Sequence, residues 1–199
     1  TIYDVRQIIE KIGKLCDYIL FDEAWAGFMK FHPLFKDHFA MGLENLGDDA
    51  PGLIATQSTH KQLAGFSQAS QIHIKDNHIQ NQKRLVAHRR FNEVFMMHAS
   101  TSPFYPLFAS LDVGAQMMKG TNGTYLWDQA IRTAIEIRKK IRFYKRRYEA
   151  DGGWFFDPFV PDQISISDTS GEQHAWEDVE TSELARNPAA WALAPNAKW

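Results

Sequence analysis

Two short apolar runs, each ending abruptly in polar residues, constrain this chain more than any other feature. Tyr18 to Phe21, in CDYILFDEAW, closes on Asp22-Glu23, and Leu53 to Thr56, in GLIATQS, closes on Ser58. Runs this short and this continuous predict strands buried on both faces. A third candidate strand lies in QASQIHI, residues 68–74. Long connections between such strands predict an α/β architecture with a mostly parallel sheet, whose ligands lie outside the carboxyl ends of the strands. Asp22 and the segment from Ser58 to Lys61 would then face one crevice.

Around these runs the pattern predicts helices. Residues 4–15 read as one, with Asp4 as N-cap and Gly13 near its end. KDNHIQNQKRLVAHRR reads as an exposed loop and RFNEVFMMHA as a mostly buried helix, broken by STSPFYP. Leu126, Ala130, Ala134, Ile137, Ile141, Tyr144 and Tyr148 form one stripe of a long amphipathic helix over 124–150. Gly152-Gly153 ends it, and WFFDPFVP opens a strand-like unit.

Composition narrows the function classes. With a formal charge of -2 and a pI near 6.4 there is no basic excess to argue for nucleic acid or an anionic membrane. The basic stretch RKKIRFYKRRY, 138–148, places Ile141, Tyr144 and Tyr148 on the apolar stripe and reads as a solvated helix face rather than a nucleic-acid-binding module. Cys16 is the one cysteine, so an intrachain disulfide is impossible; a buried thiol in a reducing, cytoplasmic compartment is expected. No apolar run is long enough to span a bilayer. The eight histidines, His73 and His78 included, show no metal-ligand spacing, so no metal is expected. Neither end reads as a natural terminus, and the chain is expected to be a fragment.

The lysine in QSTHKQLAGFSQAS carries the chemical signal. An amine in a dry, partly apolar site has a lowered pKa and can condense with a carbonyl. Pyridoxal phosphate asks a protein for such a lysine, an acid at the pyridine nitrogen, and hydrogen-bond donors for its phosphate. Lys61, Asp22, and Ser58 with His60 are candidates for these in turn, while the Trp25 indole could reach the phenolic oxygen. A strand-end acid is also commonly a cap, and Ser-x-His-Lys commonly only a turn.

At these residues the chain resembles a known family. FDEAWAGF, QSTHKQLAGFSQASQIH, MMHASTSPFYPLFAS and DGGWFF, in this order, are similar to the core of the bacterial ornithine/lysine/arginine decarboxylases, acid-inducible and biosynthetic enzymes of the aminotransferase-like fold type I. The resemblance implies that Lys61 carries pyridoxal 5'-phosphate covalently and that Asp22 binds the pyridine nitrogen. Trp25 would contact the ring hydroxyl and Ala24 the ring face, with Ser58 and His60 at the phosphate. Thr101 and Ser102 would lie near the site, toward a neighbouring subunit's cofactor; capping of a Pro-led helix is the other reading of STSP. The implied reaction is decarboxylation of a basic amino acid, with Lys61 or His60 returning a proton to Cα. Transamination and aldol cleavage are the alternatives on the same cofactor.

The same resemblance implies that 1–120 form the C-terminal part of the large cofactor-binding domain, and 121–199 a connecting helix and the beginning of the small domain. It also implies a homodimer or higher homo-oligomer for the complete enzyme. The family's upstream phosphate loop and ring-stacking histidine have no counterpart here, so this chain alone is expected not to turn over substrate. IHIKDNHIQNQKRLVAHRRFNE resembles the ornithine type, MMKG and DGGWFF the lysine and arginine types, which leaves the substrate open.

Overall fold

Asp4 accepts a hydrogen bond from the Gln7 N–H at 2.9 Å, capping a first helix, α1, over Val5–Ile12. One 3-10 turn, Gly13–Leu15, follows. The computed structural model describes residues 2–166 and 172–191; the last stretch, 192–199, lies outside the described residues. The chain divides into two units, Thr1–Phe31 with Phe35–Asn122, and His32–Leu34 with Gly123–Trp199.

The first unit is built on a sheet of β1 (Tyr18–Asp22), β2 (Gly52–Gln57) and β3 (Gln71–Lys75), in that order. β1 and β2 are parallel, with Asp22 opposite Thr56. β3 returns antiparallel to β2, so the sheet is mixed where a mostly parallel one was expected. The link from β2 to β3 is a single helical turn, α2 (Thr59–Gln62), and a bend, with no crossover to restore the strand direction. The pleat turns Phe21, Leu53 and Ala55 toward Val5, Ala40 and Leu43, the core of this unit. On the opposite face Leu20 is 59% exposed and Ile72 43%. Burial on both faces is therefore not what the described residues provide. Cys16 is half-buried rather than buried.

The segment after β3 is more tied down than a loop reading suggests. Ile79 is fully buried, the His78 ring meets the Pro51 carbonyl at 3.0 Å, and the Arg84 guanidinium donates to the carbonyls of Asp48 and Ala50. α3 (His88–Met97), expected to be mostly buried, has no buried residue. Phe91, Val94 and Phe95 share one face by their spacing, and Val94 and Phe95 on it are exposed among the described residues. α4 (Tyr105–Met117) has Phe104 at its N-cap and a proline in its first turn, and it buries only Ser110 and Gly114.

In the second unit α5 (Thr121–Tyr148) packs on a core of Val160, Ile164, Trp176, Val179 and Leu184 through Ile131 and Ile135. The stripe expected to be buried is the neighbouring one: Ile137 and Tyr144 are exposed. β4 (Gln163–Ser165) pairs antiparallel with β5 (Gln173–Ala175), and α6 (Thr181–Leu184) follows. Residues 154–161 form no strand, so the strand-like unit begins later than WFFDPFVP. The basic stretch is not one solvated face either. Arg142 is buried, donating to Glu177 at 2.9 Å, to Asp162 at 3.1 Å and to the Val160 carbonyl at 3.1 Å. Lys145 pairs with Asp157, and Arg146 with Glu177. No helix among the described residues is long and apolar enough to cross a membrane.

Candidate active site

Parallel pairing brings the carboxyl ends of β1 and β2 side by side, and the pairing continues one residue further, where the Glu23 N–H donates to the Thr56 carbonyl at 3.0 Å. From this edge the chain leaves in two directions. One is the loop Asp22 to Trp25; the other runs through Ser58 into α2, which carries His60 and Lys61. The two meet where the Lys61 Nζ lies over the Trp25 ring, 5.0 Å from its centroid. A cation over an indole face is held by the ring quadrupole.

Each side chain has a definite local role. Asp22 Oδ1 accepts the Ala24 N–H at 3.1 Å, which leaves Oδ2 for another partner. The Tyr3 hydroxyl donates to the Asp22 carbonyl at 3.4 Å. Ser58 stands at the N-cap position of α2, yet its side chain makes no capping bond. The Thr59 hydroxyl is buried without a hydrogen-bond partner. His60 Nδ1 lies 2.9 Å from the Ala69 carbonyl, which also takes the His60 N–H. A ring nitrogen facing a carbonyl carries the proton, so in the neutral ring Nε2 is an acceptor. His60 would therefore donate to an anion from Nε2 only as imidazolium.

Gly27 makes the close approach of the two segments possible. A Cβ there would come within 2.8 Å of the Leu63 side chain and 3.2 Å of the Gln57 amide oxygen. From behind, α4 supports the turn after Lys61: Ser110 Oγ accepts the Phe66 N–H at 3.1 Å, and Gly114 faces the Leu63 carbonyl.

Two sequence expectations change here. Asp22, Trp25 and Lys61 are exposed, so the described residues do not provide the dry setting expected for the lysine. Walls of a pocket come from segments remote in sequence, which a local pattern does not reveal. Thr101 and Ser102 lie in an exposed bend before α4. They do not cap that helix, since Phe104 holds the N-cap position.

A further residue emerges instead. Glu23 is 1% exposed and accepts hydrogen bonds from the Ala40 N–H at 2.5 Å and the Gln57 side-chain amide at 2.9 Å. Burial pushes its carboxyl above the usual range, and the Ala40 and Gln57 donors pull it back. Its signal was the strand alternation, which puts Glu23 on the core face with Phe21 and Ile19.

The Orn/Lys/Arg decarboxylase major-domain model matches residues 1–199. This chain belongs to the Orn/Lys/Arg decarboxylase family. Among members of that family, the constitutive ornithine decarboxylase of Escherichia coli K12 is 46% identical over all of this chain and 26% of its own length. The biodegradative arginine decarboxylase of the same organism is 34% identical over 99% of this chain and 25% of its length. The solved E. coli constitutive lysine decarboxylase superposes with a TM-score of 0.66 at 32% identity, covering 86% of this chain and 24% of that one. The chain thus spans about a quarter of the length of the family relatives it matches.

Proposed function

We propose that this chain carries the central cofactor-binding segment of a pyridoxal phosphate-dependent decarboxylase acting on a basic amino acid, ornithine in the first place. The observation that carries the reading is the meeting of Lys61 with Trp25 beside the adjoining ends of β1 and β2, where Asp22 is in register with Thr56. The donor set suits the cofactor: an amine, a carboxylate with one oxygen uncommitted, a serine hydroxyl not used as a cap and a buried threonine hydroxyl lacking a partner. The first unit is then part of the large cofactor-binding domain, and the second the connecting helix and beginning of the small domain. The complete enzyme is a cytoplasmic homo-oligomer.

Pyridoxal phosphate, when bound, supplies an aldehyde that takes up an amine and a ring that accepts the electron pair left by a departing carboxylate. The protein's part is to bind, orient and move protons. Lys61 Nζ is the amine that holds the aldehyde and yields it to the substrate amine. Asp22 Oδ2 keeps a proton on the pyridine nitrogen, because a carboxylate beside a cationic N–H raises its pKa. Trp25 contacts the ring hydroxyl, Ala24 the ring face, and Ser58 with protonated His60 the phosphate; Thr101 and Ser102 contribute at the margin. Lys61 Nζ, freed when the substrate amine takes its place, returns the proton to Cα.

Relatives matching the whole chain speak for loss of carbon dioxide over transamination or aldol cleavage. Ornithine leads because the relative matched over all of this chain at 46% bears that substrate in its name, against 34% for the arginine enzyme. The test uses the full-length protein containing this segment. Borohydride reduction in the presence of pyridoxal phosphate should tag Lys61, located by peptide mass spectrometry, and carbon dioxide should be released fastest from ornithine. A tag elsewhere, or no carbon dioxide from ornithine, lysine or arginine, overturns the proposal.

A further inference from the structure

Glu23 stands between Asp22 and Ala24-Trp25, yet none of the roles above uses it. Its position makes it a joint. Through its backbone it holds Thr56, the last residue of β2 that pairs with β1, and through its carboxylate it holds Gln57, the residue before Ser58. The other carboxylate oxygen holds the Ala40 N–H. That third segment is itself anchored, since Lys75 Nζ donates to the carbonyls of Met41 at 2.7 Å and Leu43 at 2.6 Å. One side chain thus ties the point where β1 becomes the Asp22 loop to the point where β2 becomes the Lys61 turn, and both to a fixed third strip of backbone.

A buried acid is a costly way to fill space. An apolar side chain of similar volume would stabilise a core at least as well, whereas a carboxylate with its donors met fixes one arrangement of the segments around it. Gln57 strengthens the case: its amide nitrogen is on Glu23, while its amide oxygen faces Gly27 in the same loop. We infer that Glu23 is a positioning residue, setting the placement of the loop bearing Asp22 and Trp25 relative to the turn bearing Lys61. This rests on the roles proposed above for Asp22 and Lys61.

The test is made in the full-length holoenzyme with three variants. Glu23→Leu removes both acceptors. Glu23→Gln leaves two amides facing each other, and Glu23→Gln with Gln57→Glu exchanges carboxylate and amide while keeping an acceptor for Ala40. For Glu23→Leu, kcat should fall about tenfold and the Kd for pyridoxal phosphate rise by a similar factor, with KM for the amino acid changing less than about twofold. The pH titration of the cofactor's visible band should move as well. The exchanged pair should return kcat and Kd to within about threefold of wild type, while Glu23→Gln alone stays below it. Unchanged kcat, Kd and titration in folded Glu23→Leu overturn the inference. Should Glu23→Leu fail to fold, the comparison of Glu23→Gln with the exchanged pair decides, and equality of the two overturns it. Borohydride tagging of the wild type separates the readings: no tag on Lys61 defeats the proposed function, whereas a normal tag with indifferent Glu23 variants defeats only the positioning role.

Discussion

Asp22 uses one oxygen for the Ala24 N–H and has the other uncommitted, a division that lets structure and chemistry be separated by a single substitution. Asn in its place keeps a carbonyl oxygen for Ala24, so the loop should hold its shape, while the negative charge disappears. In the full-length enzyme Asp22→Asn should lower kcat by roughly a hundredfold, the order expected when a cationic N–H loses its charged partner at a cost of about 3 kcal/mol. The circular dichroism spectrum should not change, and near-wild-type turnover would count against the pairing. Asp22 stands out in the sequence because it ends an apolar run, and Lys61 because it follows the second run by a few residues; the roles given to them are those proposed above. Glu23 was not singled out, because adjacent acids look equivalent as letters; only the alternation of the strand separates the exposed Asp22 from the buried Glu23.

Among the elements, α5 shows where periodicity informs and where it does not. The spacing correctly announced one long helix, and Gly152-Gly153 its end. Gly152 has φ +68°, and the Gly153 N–H reaches back to the Tyr148 carbonyl at 3.1 Å. Ala at 152 would meet no atom but would be forced into the left-handed region. Gly152→Ala should therefore cost about 1 kcal/mol. Gly153→Ala, with its nearest neighbour at an ordinary 3.6 Å, should shift the thermal midpoint far less. The choice of stripe misled because apolar letters were counted and basic ones set aside. Arg142 lies at 7% exposure, its guanidinium on acids from the following segment. Asp162 is exposed and loses little without it, so the cost of Arg142→Met falls on Glu177 and the Val160 carbonyl. Thermal or urea unfolding of the full-length protein should show a loss of about 2–3 kcal/mol.

Over the whole molecule, acid should act on each unit through an imidazole. In the second unit His32 is buried, its Nδ1 accepting the Leu34 N–H at 3.3 Å, so the ring proton is on Nε2, 3.5 Å from Asp128 Oδ1. Burial holds its pKa below the usual imidazole value; Asp128 raises it, and Arg132 and Arg186 lower it. A depressed folded pKa means that the unfolded chain binds more protons, so this unit loses stability as pH falls below about 6.5, until the folded pKa is reached. Asp128, held below the carboxylate range first by Arg132, stays ionised through that window. In the first unit His73 has a lowered folded pKa, from burial and then the Lys30 charge, and acts in the same sense as His32, while Glu23 has a raised one, so its penalty for burying charge is present at neutral pH and is relieved on acidification. Hydrogen exchange of the full-length protein at pH 7 and pH 5.5, corrected for intrinsic rates, should show peptides across 123–135 losing protection by up to about 1.4 kcal/mol per pH unit. His32→Gln offers a carbonyl to Leu34 and an amide to Asp128 without titrating, and should flatten that response. A slope that survives this substitution would place the proton elsewhere.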